Sequence, residues 1–253
     1  MNIGILVSHS GLSDFRVKTL QPILEDNNFN IKVAIVDTRR GKTFKEKIIK
    51  NFKRGRGGYM IVMAFQRLFS KSIEDSSVDT YEYCQANNIE TIETNDPYSK
   101  ETLDAIKAYN LDTLLLVGGY GIVKEPLIAL TPNGILSYHH GDMRKYRGMP
   151  PVFWELYNNE KEVGMTLQKL SVGLDCGTPI VEKSVKIDKK DSLKSLEKKV
   201  NEESIEMMYE ALCKLLDSNY QPETIDKFGK VYTLPNLREW ISFNIRMFFR
   251  KYR

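Results

Sequence analysis

The chain has 253 residues, 42% hydrophobic and 28% charged, with a formal net charge of +4. That is enough for one large domain with a sizeable core, and the composition is that of an ordinary globular protein. The mild charge alone demands no polyanionic partner, and no stretch reaches the roughly 20 apolar residues that span a bilayer.

The predicted elements run as follows. Residues 2–8 (NIGILVS) are a short apolar run, the pattern of a buried parallel strand. A Ser/Gly-rich turn follows, and Ser13 or Asp14 can cap a helix over 14–27. Residues 31–37 read as a second strand. The opening is therefore a right-handed strand–helix–strand unit. Its first loop, with Ser10 and Gly11, can hold an anion on backbone N–H groups or be a plain turn. Residues 39–56 carry nine basic side chains against one acidic, Glu46, and 59–69 read as an apolar helix. This lobe is either a solvated basic face or an attractor for an anionic ligand, lipid or RNA.

Further on, a helix is expected over 76–88, a strand over 89–93, a helix over 99–109 and a strong strand over 111–117. Glycines 118, 119 and 121 follow, where the backbone turns sharply or lets a ligand approach. A short helix is expected over 125–130 and a strand ending at Ser137. After a polar loop at 140–150, a helix is expected from 152 to 157. Strands over 162–170 and 178–187 stand too close together to be parallel neighbours. One long helix is expected over 192–216, capped by Ser192. In the tail, Leu237, Trp240, Ile241, Ile245, Phe248 and Tyr252 recur at helical spacing on one face. That segment carries about +4, and it can dock on the body, on a second subunit or on an anionic membrane interface.

Three cysteines without CxxC spacing, Cys84, Cys176 and Cys213, argue for reduced thiols and a cytoplasmic setting. Met1 runs straight into an apolar strand with no basic n-region or small-residue cleavage site, which fits the same expectation.

The chemistry concentrates in GILSYHHGDMRKYRGMP, residues 134–150, which holds two of the three histidines. His139 and His140 follow a buried strand, with Asp142 close behind. A second carboxylate, Asp175, lies in a Gly-bracketed turn. Sites in open α/β sheets form at the carboxyl ends of strands, where such groups can converge for acid–base work. No convincing nucleophile accompanies them. Adjacent histidines on a strand point to opposite faces, so no metal site is expected. Acyl transfer to an amine fits best, since it needs an oxyanion donor and a base for the amine proton.

SYHHGDMRKYRGMPPVFW followed by VGMTLQKLSVGLDCGTPIV resembles the formyltransferases that use 10-formyltetrahydrofolate, among them glycinamide ribonucleotide, methionyl-tRNA and sugar-nucleotide enzymes. Their pattern is Asn-x-His-x-Ser-x-Leu-Pro-x-x-Arg-Gly, with an Asp later in a Leu-Asp-x-Gly turn. His139 falls on the histidine, Arg147-Gly148 on the Arg-Gly and Asp175 on the aspartate. The resemblance covers about residues 1–215 and implies a Rossmann-like, mostly parallel sheet flanked by helices, with an antiparallel edge. It implies a catalytic domain over 1–217, with a basic insertion near 39–75, and an extension over 218–253.

By the same resemblance, the formyl donor is 10-formyltetrahydrofolate. Its pterin would sit on main-chain groups of Gly119, Tyr120, Gly121, Ile122 and Val123 and near Leu174. His139 would stabilise the oxyanion, and Asp175 would orient it and help move the proton. Ser10, Gly11, His140, Asp142 and Arg147 are the candidates for holding the acceptor. The sequence departs from the pattern at Ser137, which replaces the asparagine, and at Gly141 and 142–144, which replace the serine and Leu-Leu-Pro. A serine hydroxyl can still donate; losing one oxyanion donor outright costs about 10²–10³ in rate. If neither it, His140 nor a water substitutes, the chain is a slow enzyme or a binding protein on the same scaffold. Methionyl-tRNA members carry a sizeable domain after this core. The residues after 217 are too few for it, so a small or nucleotide-linked amine, such as an aminosugar, is expected ahead of tRNA.

Overall fold

In the computed structural model, the described residues are 1–41, 44–53, 77–118 and 120–250. The apolar runs become strands. β1 (Asn2–Ser8), β3 (Asn30–Asp37), β5 (Glu90–Thr94), β6 (Thr113–Leu116) and β7 (Ile135–His139) are parallel. β9 (Glu162–Lys169) and β10 (Thr178–Lys186) complete a seven-stranded sheet in the order β10-β9-β7-β6-β1-β3-β5. β9 runs antiparallel to both β7 and β10. Both faces are covered, and alternation along the strands feeds two cores. Ile3, Ile5 and Val7 of β1 join one, and Leu6 joins the other with Val33 and Ile35 of β3. The chain moves outward from β1 through β3 to β5, then returns to β1's other side with β6. The order thus reverses between β1 and β6, where a crevice forms beyond the strand ends.

Among the described residues the helices are α1 (Asp14–Glu25), α2 (Phe44–Lys53), α3 (Thr80–Ala86), α4 (Lys100–Lys107), α5 (Phe153–Tyr157), α6 (Leu193–Ser204), α7 (Met207–Leu216) and α8 (Leu237–Arg250). Two-residue strands β2 (Leu12–Ser13) and β4 (Ser77–Val78) pair with each other, as do β8 (Tyr146–Gly148) and β11 (Lys230–Tyr232).

The structure corrects several expectations. The helix expected over 76–88 starts only at Thr80, because Ser77–Val78 is drawn into the ladder with β2. Asp79 caps it by accepting from the Tyr81 and Glu82 amides. The segment 125–130 is a series of turns, held by bonds from the Leu127 amide to the Lys124 carbonyl and from the Leu130 amide to the Leu127 carbonyl. The single helix expected over 192–216 is two. The Tyr138 hydroxyl donates to the Ser204 carbonyl at 2.8 Å and accepts from the Met208 amide at 3.2 Å. Those are the two groups a continuous helix would have joined, so a side chain inserted in the ladder breaks it. In the tail, Trp240 does not share a face with Leu237, Ile241 and Ile245. It turns inward, stacking on Phe153 at 5.9 Å, while the other three lie exposed. The apolar helix expected over 59–69 lies outside the described residues, as does Tyr252.

The segment after 217 is joined to the rest. β11 pairs in parallel with β8, and the Gly229 amide donates to the Met143 carbonyl at 2.9 Å. At Gly148, φ is +91° and a Cβ would stand 2.1 Å from the Tyr232 carbonyl oxygen, so only glycine allows this approach.

Candidate active site

β7 ends on His139 near the reversal point, where the loop at 121–123 and the turn at 171–175 enclose a cleft of about 400 Å³. His139 is 7% exposed. Its Nε2 donates to the Tyr146 carbonyl at 2.8 Å, and a carbonyl only accepts, so this nitrogen carries a proton. Nδ1 lies 3.4 Å from Asp175 Oδ2. The contact is an ion pair when the imidazole carries its second proton. Asp175 lines the cleft and Tyr146 does not, so the Nδ1 edge is the one turned toward an incoming molecule.

Asp175 is pinned from three elements. Its Oδ2 accepts from the Gly148 amide at 2.7 Å, and its Oδ1 accepts from Gln168 Nε2 at 3.4 Å. Gln168, buried in β9, also accepts from the Gly177 amide at 2.9 Å, which closes the turn. Asp175 itself has φ +46°, a left-handed conformation that aspartate tolerates better than most residues. At Gly141, a Cβ would stand 2.6 Å from His139 Nε2 and 3.0 Å from the Tyr146 carbonyl oxygen. Glycine at this position is what lets the imidazole lie against the backbone.

Ser137 is 8% exposed and lines the cleft; among the described residues its hydroxyl meets only the Tyr138 carbonyl, at a long 3.4 Å. The expected separation of His139 and His140 does not hold. The strand stops at His139, alternation stops with it, and both rings line the same cleft. His140 packs against Phe15 and Tyr138, and its Nε2 is buried without a hydrogen-bond partner among the described residues. Burial first, then the neighbouring His139, pushes its pKa down to about 4, so it is neutral near pH 7.

Gly121, Ile122, Val123 and Leu174 line the cleft. Tyr120 does not: it is a core residue, its hydroxyl donating to the Ile35 carbonyl at 2.8 Å and its ring under Arg39. Gly119 lies outside the described residues. Ser10 and Gly11 stand back from the cleft, Ser10 pairing with the Ser8 hydroxyl at 2.9 Å. Asp142 faces a second cleft and accepts from the Arg144 amide at 2.9 Å, which caps its own loop. Arg147 braces the site from behind, donating to the carbonyls of Gly229 at 2.9 Å and Leu174 at 3.4 Å, with Phe228 against its guanidinium. The second cleft holds Glu155, 3% exposed, whose pKa burial raises to about 7. Among the described residues no three His, Cys, Asp or Glu side chains gather as metal ligands. The sequence reading missed Gln168, the Gly148 amide and the Tyr146 carbonyl. Gln168 lies between Leu167 and Lys169, so the pattern marks it no more than its neighbours, and main-chain groups leave no signal.

With this geometry in place, the comparisons decide the family. The model described as "Formyl transferase" matches residues 32–212. The chain belongs to the formyl transferase family. Among curated relatives, the methionyl-tRNA formyltransferase of Caldanaerobacter subterraneus subsp. tengcongensis is 32% identical over 124 residues, covering 49% of this chain and 40% of that protein. That of Prochlorococcus marinus (strain MIT 9215) is 23% identical over 224 residues, covering 88% of this chain and 60% of that one. The chain thus spans about half the length of the curated relatives it matches. Among solved structures, glycinamide ribonucleotide transformylase 1 of Symbiobacterium toebii superposes with a TM-score of 0.59 at 17% identity, covering 89% of this chain and 94% of that one. An N-formyltransferase of Helicobacter canadensis, in complex with folinic acid and dTDP-3-aminofucose, gives 0.61 at 15% identity, covering 100% of this chain and 83% of that one. At these identities the structural likeness establishes the mostly parallel α/β fold.

Proposed function

We propose that this formyl transferase family member is an enzyme that moves the formyl group of 10-formyltetrahydrofolate to a primary amine, small or nucleotide-linked, with an aminosugar as the first candidate. The observation that carries the reading is the His139 Nδ1–Asp175 contact at the wall of a cleft sized for a small molecule. The residues present suit a pteridine. Ile122, Val123 and Leu174 supply apolar walls. The bound donor contributes an activated formyl carbon, and this chain contributes the rest. The protonated Nδ1 of His139, with the Ser137 hydroxyl, stabilises negative charge on the formyl oxygen as the amine attacks. Asp175 holds that imidazole in register and passes the proton lost by the attacking amine, through water, toward the departing folate nitrogen. The C–N bond to the amine forms as the one to the folate breaks, so the products are a formamide and tetrahydrofolate.

In this reading residues up to 217 supply the reacting groups, and β11 braces the loop that carries them. The nine basic residues of 39–56 in the sequence favour an anionic acceptor. The setting is the cytoplasm, in keeping with three unpaired thiols. A second reading, with methionyl-tRNA as acceptor, is favoured by the names of the curated relatives and by the nine basic residues of 39–56. The test is release of tetrahydrofolate by purified protein given 10-formyltetrahydrofolate and, in turn, glycinamide ribonucleotide, dTDP-linked aminosugars and methionyl-tRNA. Turnover with one acceptor class is expected. Folinic acid binding without turnover on any amine would make the protein a folate-binding relative that has lost catalysis.

A further inference from the structure

α8 is apolar on two opposite faces. The inner face is in use: Trp240 and Phe243 are buried, and Phe243 lies 4.5 Å from Phe153 of α5. The outer face carries Leu237, Ile241, Ile245, Phe248 and Phe249, which are 42–59% exposed. At 100° per residue these five span an arc of about 120°. The inner contacts hold the helix to the body, so the outer stripe is not needed for that. A contiguous row of large apolar side chains on a folded surface marks something that covers it.

Charge indicates what. Arg238, Arg246 and Arg250 lie on this helix. Its only carboxylate, Glu239, is taken up at the start of the helix, accepting from the Asn236 amide at 2.7 Å while Asn236 accepts in return. Beside the stripe runs a groove of about 730 Å³, with Ile187, Ile245 and Phe249 in its wall and Lys161, Lys189, Arg246 and Arg250 outnumbering Glu160 on it. Arg246 and Arg250 donate to the carbonyls of Tyr157 and Asp188, so no carboxylate neutralises those bonds. One Nη of Arg250 is buried without a partner among the described residues. A second copy docked face to face would set these arginines against each other. An anionic lipid surface meets both features, with acyl chains for the stripe and headgroup phosphates for the cations.

We infer that α8 is a peripheral docking helix that lies in the interface of an anionic bilayer through Leu237, Ile241, Ile245, Phe248 and Phe249, with Arg246 and Lys161 against the headgroups. No helix among the described residues is long and apolar enough to cross a membrane, so the contact is interfacial. It stands independently of the acceptor assignment.

Flotation of the full chain with phosphatidylcholine vesicles and with phosphatidylcholine–phosphatidylglycerol vesicles tests it. Co-flotation only with the anionic vesicles is expected. Ile245→Asp/Phe248→Asp should lower recovery in the lipid fraction at least about tenfold. That double variant leaves the basic segment 39–56 intact, so charge attraction there cannot mimic the result. Ile241→Asp, equally exposed, repeats the test if the double variant melts early. Two results overturn the inference. One is unchanged flotation in the stripe variants. The other is a chain that ignores both vesicle types, with or without a dimer in light scattering that the stripe variants dissociate.

Discussion

His139 and Asp175 act as a unit in this account, so removing either should cost nearly as much as removing both. His139→Ala and Asp175→Asn should each lower turnover at least about a hundredfold. Gly141→Ala is the sharper probe. Its methyl group would enter the space of Nε2, 2.6 Å away, and push the imidazole off the Tyr146 carbonyl. Turnover should fall with folinic acid affinity unchanged, because the 121–123 wall is untouched. Ser137→Asn, which restores the family donor, should raise kcat and leave donor affinity alone; a fall in kcat would show that the shorter hydroxyl is what this cleft needs. That His139 and Asp175 come together was legible in the sequence because side-chain chemistry leaves a residue name. The groups that aim them, the Tyr146 carbonyl and the Gly148 amide, were not, because every residue carries the same main chain.

The parallel strands were readable from their apolar runs, and the antiparallel pair from its spacing. What was not readable was made by tertiary contact. Nothing in 192–216 announces a break at 205–206, since the cause is a hydroxyl arriving from Tyr138. Removing it by Tyr138→Phe should cost about 1 kcal/mol in urea unfolding, the usual net worth of such bonds. The hexapeptide 125–130 looked helical by pattern, yet it forms turns. The β8–β11 ladder was equally hidden, and it is where fold and site meet. Gly148→Ala must move the Tyr232 carbonyl, and Gly148 also donates to Asp175. It should therefore lower both the melting temperature and turnover, whereas a purely local strain would change only the first.

At the scale of the molecule, two buried groups set opposite pH limits. The folded protein keeps a proton on Glu155 up to about pH 7, against 4.5 for the ordinary carboxyl, so this contribution is intact below pH 4.5 and is lost as pH rises through 7. His140 works in the other direction. Its contribution is present above pH 6.5 and is lost as pH falls through about 4, where the buried ring must charge. Glu155→Gln should flatten the alkaline side of the stability curve, with a gain over wild type above pH 7 of order 3 kcal/mol. Urea midpoints at pH 5 and pH 8 measure it, and an equal shift at both would contradict the assignment.

The central claim is that His139 and Asp175 meet at the wall of a folate cleft and do the chemistry there. The most direct measurement pairs tetrahydrofolate release on the productive amine with folinic acid titration, for wild type, His139→Ala and Asp175→Asn. The account predicts turnover down at least about a hundredfold in both variants with folinic acid affinity within about threefold of wild type. Variants that turn over like wild type would contradict it.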